Sequence, residues 1–348
     1  MLLCLTAARG IVGSMIDRIG ILGAGAWGTA LAVAAGRAGR AVRLQAHELA
    51  LARAIETERC NERYLPGIRI PSCILATANV TTAVEGADAV LLACPAQHLR
   101  DVLRVAVAGW RPGVPAIICA KGIEQKTGVL LGQVVEQILP GVPVCVLSGP
   151  SFAAEVAREM PTALTLASAE ASLRHALPEA LGTPTLRIYS SDDVVGAQVG
   201  GAIKNVIAIA CGIIVGRRFG DNARAALITR GLAEMARLAA ALGARPETLT
   251  GLTGLGDLVL TCNAMQSRNF SLGVALGEGR ALADVLGERI TVAEGVHTAA
   301  VAVQLAAGLH VDMPICTAVD AVLNRGADLD GTIEGLLARP RKAEVFAA

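Results

Sequence analysis

Three glycines spaced as G-x-G-x-x-G follow an apolar run close to the start of the chain. Gly23, Gly25 and Gly28 come directly after residues 19–22, and residues 29–35 form a stretch typical of a helix. In a strand–turn–helix of this kind, the first glycine permits the turn, the second lets a pyrophosphate approach the backbone, and the third lets helix and strand pack closely. The free N–H groups at the helix N-terminus favour an anion. The spacing therefore predicts a dinucleotide site, with a purely structural turn as the alternative because the chain contains 38 glycines.

The length and composition fit an enzyme built from two domains. A chain of 348 residues exceeds the size at which one hydrophobic core keeps growing. The hydrophobic share is 53% but aromatic residues make up only 2%, so the core must rely on aliphatic packing with close helix contacts. The net charge is +1 and no basic block is present, which predicts no nucleic-acid partner. Any attraction for a phosphorylated substrate must therefore be local.

Several features predict a cytoplasmic location without a membrane span. The most apolar stretch, residues 200–216, contains Lys204 and Asn205 and is shorter than the ~20 residues that a span requires. Nine cysteines without a C-x-x-C pair argue against a metal site or a disulfide framework and favour a reducing compartment. Residues 1–17 lack a basic n-region and are predicted to be an N-terminal extension rather than a signal peptide.

The chain changes character near residue 191. Before it, helical stretches alternate with short apolar runs at residues 19–22, 42–45, 89–93, 116–119, 144–147 and 163–166. This alternation is typical of a parallel sheet that is buried on both faces. After it, long Ala- and Leu-rich stretches at helical spacing dominate. We predict an α/β N-terminal domain with a Rossmann-type parallel sheet over residues 18–192, followed by an all-α C-terminal substrate domain over residues 193–348.

The end of the second predicted strand normally selects the cofactor. An acidic residue there binds the ribose 2′-hydroxyl of NAD, whereas basic residues accommodate the 2′-phosphate of NADP. No acid lies at the expected position near Ala46, and Glu48 lies slightly beyond that position along the chain. Arg43 and His47 could hold a phosphate, although each is also compatible with a solvated position. The preference stays open between NADP and NAD, with NADP or dual use favoured.

Two lysines occupy positions where a lysine is costly. Lys121 follows a predicted parallel strand at its carboxyl end, where open α/β sheets bind ligands. Lys204 lies in an otherwise apolar helical stretch, and burying an unpaired ammonium costs several kcal/mol. Desolvation lowers a lysine pKa and so allows acid/base chemistry near neutral pH. A structural salt bridge with Asp257 or another carboxylate is the alternative, and the two interpretations are compatible.

A further segment offers groups that suit a phosphate. A Gly-rich stretch leads to Asp257, and Ser267, Arg268 and Asn269 follow soon after it. The triplet supplies a hydroxyl, a guanidinium fork and an amide in a row.

Taken together, these motifs resemble those of bacterial NAD(P)-dependent glycerol-3-phosphate dehydrogenases, from about residue 18 to residue 337. The matching stretches, in order, are GAGAWGTAL at 23–31, YLPGI at 64–68, AKGIE at 120–124, SGPSFA at 148–153, GGAIKNVIA at 200–208, LITRGLAEM at 227–235, GLGDLVLTC at 254–262, SRN at 267–269, VAEG at 292–295 and MPI at 313–315.

The resemblance implies reversible hydride transfer between dihydroxyacetone phosphate and sn-glycerol 3-phosphate, which supplies glycerol 3-phosphate for phospholipid synthesis. It implies that Lys204 is the proton acceptor and that Lys121 contacts both substrate and cofactor. Homodimerisation is possible. Further substrate-binding positions implied are Gly149, Ser151, Asp257, Ser267, Arg268 and Asn269. The cofactor positions implied are Gly23, Gly25, Ala26, Trp27, Gly28, His47, Tyr64, Lys121, Ala153, Arg268, Val292 and Glu294.

Three positions depart from the family pattern. Gln198 stands where a glutamate is usual, six residues before Lys204, so a charge that could tune this lysine is missing. Phe270 stands where a basic residue is common, which could remove one positive neighbour of the phosphate. Thr253 replaces a usual alanine and is expected to be harmless.

Two other functions remain as alternatives. The first is another β-hydroxyacid dehydrogenase-like enzyme, in which Arg268 and Asn269 would select a carboxylate instead of a phosphate. The second is a cofactor-binding regulatory protein without turnover, which predicts the loss of chemical groups that are present here.

Overall fold

The strands of the protein form one sheet. The computed structural model describes residues 16–288 and 293–341. Within them the strands are β1 Arg18–Leu22, β2 Ala41–Gln45, β3 Ile74–Thr77, β4 Ala89–Leu92, β5 Ala116–Ile118, β6 Val144–Ser148, β7 Thr162–Ser168 and β8 Leu186–Ser191. The sheet order is β3-β2-β1-β4-β5-β6-β7-β8, which brings the ends of β1, β4, β5 and β6 to one edge.

Helices lie between the strands and make up the chain after them. Those between strands are α1 Ala26–Arg37, α2 Leu49–Glu58, α3 Val80–Val84, α4 Leu99–Ala106, α5 Leu131–Ile138, α6 Ala153–Ala157 and α7 Ala171–Leu181. Those that follow are α8 Val194–Gly216, α9 Asp221–Ala241, α10 Pro246–Thr250, α11 Asp257–Asn263, α12 Arg268–Gly277, α13 Leu282–Gly287, α14 Glu294–Gly308, α15 Pro314–Asn324 and α16 Leu329–Leu337. The predicted fold class, a Rossmann-type sheet followed by helices, is confirmed.

The sheet is parallel from β3 to β6, and one pair departs from that direction. β7 runs antiparallel to β6, with Cys145 opposite Ser168, and β8 is parallel to β7. A strand that returns antiparallel to its neighbour needs no crossover of the sheet. The connection 149–161 therefore stays at the edge where β6 ends, and Gly149 in it contacts Lys121, which follows β5.

Strands β3 and β8 were not predicted from the sequence. Both lie at sheet edges and have one buried residue each, Ile74 and Leu186, and Leu75 in β3 and Tyr189 in β8 are about half exposed. The apolar-run pattern detects strands that are buried on both faces, so it finds β1, β4 and β5 but not these two.

Helix α8 is the central helix of the C-terminal half. Its length and hydropathy would allow it to cross a membrane, but 83% of its most apolar window is buried inside the molecule. Helices α9, α11, α12 and α14 pack around it. The prediction that residues 200–216 form a buried helix is confirmed.

Glycines bring α8 and α12 into backbone contact. A Cβ atom at Gly212 would lie 2.1 Å from the carbonyl oxygen of Phe270, and one at Gly273 would lie 2.0 Å from that of Ile209. No side chain fits at such separations. The close helix contact expected from the composition is therefore present between α8 and α12.

The predicted domain boundary lies between the last strand and α8. Asp193 caps this helix by accepting a hydrogen bond from the N–H of Gly196 at 2.8 Å. Its other oxygen accepts from the N–H of Arg245 and the hydroxyl of Thr248. The division at residues 192 and 193 stays a proposal, and of the predicted extension only residues 16 and 17 are among those described.

Candidate active site

The glycine-rich turn between β1 and α1 has the geometry that a dinucleotide needs. Gly23 has φ +108°, which disfavours other residues. A Cβ at Gly28 would lie 1.8 Å from the carbonyl oxygen of Gly23, so this glycine permits the close packing of helix on turn. Gly25 is the N-cap residue of α1, and a Cβ there would meet nothing within 4 Å. The turn therefore leaves room for a pyrophosphate.

Buried polar atoms without a partner also fit a bound cofactor. Among the described residues, the indole Nε1 of Trp27 and the Oε2 of Glu294 are buried and accept or donate no hydrogen bond. The other oxygen of Glu294 accepts from the N–H of Ala96 at 3.2 Å. Burial raises the pKa of Glu294, while that N–H and the charge of Arg268 oppose the rise. Because unpaired buried polar atoms are costly, these groups are suited to a ligand.

The end of β2 separates the two basic candidates for a 2′-phosphate. The guanidinium of Arg43 donates to the carbonyls of Thr82 and Glu85 at 3.0 and 2.8 Å, so it has a structural partner. His47 is exposed. The carboxylate of Glu48 forms an ion pair with Arg63 at 3.2 Å. Arg43 and Glu48 therefore have partners within the protein, whereas His47 is exposed and available to a ligand.

Three charged side chains from separate parts of the chain meet in one cluster. Lys121 follows β5, Lys204 lies on α8, and Asp257 is the first residue of α11. The Nζ atoms of Lys121 and Lys204 lie 2.6 and 2.5 Å from the two oxygens of Asp257, which is fully buried. We call these residues the lysine–aspartate cluster. The predicted partner of Lys204 is therefore present, and Lys121 shares it.

The glycine-rich segment before α11 brings Asp257 to α8. Residues Leu252–Gly256 form a π-helical turn. A Cβ at Gly200 on α8 would lie 2.4 Å from the carbonyl oxygen of Thr253 in this turn. Gly200 lies one helical turn before Lys204 on α8, so this close approach brings the start of α11 beside the lysine. Thr261, one turn further along α11, accepts a hydrogen bond from the Lys204 ammonium at 2.8 Å.

The environment of Lys204 changes its acidity. Burial lowers the pKa of Lys204 to about 8, against the opposing charge of Asp257, and the nearby charge of Lys121 lowers it further. A lysine with a pKa near the working pH can both give and take a proton. Lys204 therefore forms a salt bridge with Asp257 and also has a lowered pKa, so both interpretations of this lysine hold together.

The loop after β6 contacts Lys121. The Lys121 ammonium donates to the carbonyl of Gly149 at 3.1 Å, and the hydroxyl of Ser151 donates to the same oxygen at 3.1 Å. Ser148, just before them, is buried and its hydroxyl has no hydrogen-bond partner among the described residues. Tyr64 and Ala153, two further predicted positions, lie in the loop after α2 and at the start of α6.

The Ser-Arg-Asn triplet lies at the N-terminus of α12. Ser267 caps the helix by accepting from the N–H of Phe270 at 3.2 Å. The buried amide of Asn269 donates to Asn205 at 3.0 Å and accepts from the N–H of Gly295 at 3.0 Å. Arg268 is exposed. Two members of the triplet therefore carry structural hydrogen bonds that the sequence did not reveal, and the guanidinium has the greatest access to a ligand.

The residues that depart from the family pattern do not adjoin Lys204. Gln198 accepts from the N–H of Gly132 at 2.7 Å and donates to the carbonyl of Val194 at 3.2 Å, so its amide is used between α5 and α8. Phe270 is buried in the helical core. Thr253 is also buried. Val292, predicted as a cofactor position, lies outside the described residues.

Sequence reasoning missed four polar residues near this site. Asn205 and Thr261 adjoin Lys204 and Asp257 along their helices, and a search one helical turn from each charged residue could have found Thr261. Ser148 and Thr298 are fully buried with unpartnered hydroxyls among the described residues. No sequence signal marks such a hydroxyl, because its hydrogen-bond state depends on the packed structure.

Comparisons with known proteins agree on one family. The model of the NAD-dependent glycerol-3-phosphate dehydrogenase N-terminus matches residues 18–174, and that of the C-terminus matches residues 193–334. The chain is 56% identical over 330 residues to glycerol-3-phosphate dehydrogenase [NAD(P)+] of Rhodospirillum rubrum, covering 95% of each chain. It is 51% identical over 327 residues to the enzyme of the same name from Parvibaculum lavamentivorans, covering 94% and 98%.

The solved structures agree with the sequence relatives. The crystal structure of glycerol-3-phosphate dehydrogenase from Coxiella burnetii superposes with a TM-score of 0.90 at 39% identity, covering 93% of this chain and 99% of that one. A ketopantoate reductase from Ralstonia eutropha reaches a TM-score of 0.57 at 19% identity, which is a likeness of fold alone. With both family models matched along the chain, it belongs to the NAD-dependent glycerol-3-phosphate dehydrogenase family.

Proposed function

We infer that the protein is an NAD(P)-dependent glycerol-3-phosphate dehydrogenase that interconverts dihydroxyacetone phosphate and sn-glycerol 3-phosphate. The observation that carries this function is the buried carboxylate of Asp257 between the ammonium groups of Lys121 and Lys204, at the same sheet edge as the dinucleotide turn. In the reductive direction the product would serve phospholipid synthesis.

The lysines of the cluster have separate tasks in the proposed mechanism. When bound, the nicotinamide supplies hydride to C2 of the substrate or accepts it from there. Lys121 and Lys204 polarise the C2 ketone and stabilise the negative charge that develops on its oxygen. Lys204 gives this oxygen a proton in reduction and takes the proton back in oxidation. Asp257 orients both ammonium groups and balances part of their charge.

The decisive experiment follows NADPH absorbance with dihydroxyacetone phosphate as the substrate. We expect turnover that requires the phosphate ester, with little reduction of 2-keto acids. Faster turnover of a 2-keto acid would favour the carboxylate alternative. NADPH binding without turnover of either substrate would favour the regulatory alternative.

Arg268 is proposed to hold the substrate phosphate. A guanidinium can bind two phosphate oxygens, and charge-assisted hydrogen bonds are worth a few kcal/mol. We expect Arg268→Ala to raise the KM for dihydroxyacetone phosphate by roughly 10- to 100-fold, while reduction of unphosphorylated dihydroxyacetone falls much less. Steady-state kinetics with both substrates, and NADPH affinity by fluorescence, measure this.

Arg280→Ala is the matched control for Arg268. Arg280 lies just beyond the other end of α12 and pairs with exposed Glu288. Arg280→Ala should leave the kinetic constants for both substrates unchanged. If Arg268→Ala lowers the activity towards both substrates by the same factor, the phosphate is bound elsewhere.

The end of β2 leads to an expected cofactor preference. Glu48 is paired with Arg63, Arg43 donates to two backbone carbonyls, and His47 is exposed. We expect kcat/KM for NADPH to equal or exceed that for NADH, and His47→Ala to reduce the NADPH value more than the NADH value. Parallel kinetics with both cofactors test it. A preference of more than about tenfold for NADH would contradict it, because an acid would then read the 2′-hydroxyl.

We also propose a cytoplasmic homodimer. The apolar side chains of Leu255, Val259 and Met265 are exposed on and beside α11, which supports an interface on this face. Sedimentation analysis of the purified protein would give the oligomeric state.

A further inference from the structure

Lys121 lies on a segment without regular secondary structure. Residues 119–130, which we call the Lys121 loop, connect β5 to α5. The N–H groups of Cys119 and Ala120 both donate to the carbonyl of Leu92, at 2.9 and 3.0 Å. These bonds fix the start of the loop to β4 but do not reach beyond Ala120. The position of Lys121 therefore depends on how the rest of the loop is held.

A buried ion pair holds the loop to α4. Arg100 donates from Nε and Nη2 to the two carboxylate oxygens of Glu124, each at 2.8 Å. Glu124 is 4% exposed and also accepts from the hydroxyl of Thr127. The Arg100 guanidinium holds the pKa of Glu124 below its usual range. A bidentate pair of this kind fixes orientation as well as distance.

Other contacts fix the residues that follow Lys121. The amide of Gln97 donates to the carbonyl of Ile123 at 2.9 Å and accepts from the N–H of Gln125 at 2.8 Å. A Cβ at Gly122 would lie 2.8 Å from the Cβ of Ala96. Ile123 itself is buried in the core of the helical half. The loop is thus held between α4 on one side and the core around α8 on the other.

We propose that Arg100 and Glu124 are positioning residues for Lys121, which they hold in contact with Asp257 and beside Lys204. This inference rests on the proposed function. The Lys121 ammonium stands at the end of a long flexible side chain, so its position is only as well defined as its backbone. Misplacing a catalytic group by about 1 Å can cost on the order of 10²-fold in rate.

A displaced Lys121 would change the titration of Lys204. The charged groups that face Lys204 are Asp257 on α11, which raises its pKa, and Lys121 from the loop, which lowers it. The thiol of Cys262, also on α11, is held protonated by burial. Moving Lys121 away removes the lowering effect, so the kinetic pKa should rise. A loss of stability alone would not produce this shift.

The test is a double-mutant cycle with Lys121→Ala, measured as kcat for dihydroxyacetone phosphate reduction across pH. Glu124→Gln should lower kcat about tenfold and raise the kinetic pKa. The same substitution should change kcat less than about twofold in the Lys121→Ala background, because there is no lysine left to position. Asp101→Asn, in an exposed ion pair with Arg104 on the same helix, is the matched control and should leave kcat and pKa unchanged.

Arg100→Lys is the second variant. It keeps the positive charge but loses the paired N–H donors of the guanidinium. It should therefore lower kcat and raise the kinetic pKa by less than Glu124→Gln does. If Glu124→Gln lowers kcat by the same factor with and without Lys121, the proposal is overturned. If neither Glu124→Gln nor Arg100→Lys folds, the proposal is also overturned, and the ion pair serves stability. Absence of turnover in the unmodified protein would instead overturn the proposed function.

Discussion

Replacing Lys204 by alanine should lower kcat by roughly 10²-fold or more, because the substitution removes both a general acid/base and a charge that stabilises the transition state. NADPH affinity should change little, since Lys204 is placed on α8 and not at the dinucleotide turn. Steady-state kinetics and NADPH fluorescence titration measure the two quantities. A variant that keeps near-normal kcat would remove Lys204 from the mechanism.

The pH dependence provides a second measure of the same role. With a Lys204 pKa of about 8, reduction requires the protonated amine and should slow as pH rises through that value. Oxidation of glycerol 3-phosphate requires the neutral amine and should accelerate over the same range. Both transitions should disappear in Lys204→Ala. The exposed Lys126 provides the control, and Lys126→Ala should keep them.

Asp257→Asn should lower both stability and activity. The carboxylate is fully buried and contacts two ammonium groups, so its neutralisation leaves two cations without their counter-charge. Removing one partner of a buried ion pair typically costs about 3–5 kcal/mol. Asp257 raises the pKa of Lys204, and its loss should therefore move the kinetic pKa below about 8. Urea unfolding and pH–rate profiles measure the two effects.

Asp320→Asn separates these two effects. Asp320 on α15 is equally buried and pairs with Arg325 at 2.7 Å, outside the lysine–aspartate cluster. Its substitution should lower stability without moving the kinetic pKa. If the two asparagine variants have the same pH profile, Asp257 acts only on the stability of the fold.

The sequence predicted the strands that are continuous apolar runs and the charged residues whose burial is energetically costly. Strand β4 is apolar and buried throughout and was predicted, whereas β8 has a single buried residue and was missed. A lysine in an apolar helix pointed to Lys204, because such a placement has few explanations. The hydrogen bonds of Asn269 could not be predicted, since its partners Asn205 and Gly295 lie far from it along the chain.

The backbone contact between α8 and α12 has a consequence for substrate size. Lys204 lies on α8 and Arg268 begins α12, and the two helices touch through glycines rather than through side chains that could repack. The spacing between Lys204, which transfers the proton, and Arg268, the candidate phosphate ligand, is therefore set by two helices in direct backbone contact. It cannot adapt to a longer carbon chain. A methyl group added at Gly273 would force α8 and α12 apart. The substitution would therefore alter which phosphorylated ketone fits, although residue 273 contacts neither ligand.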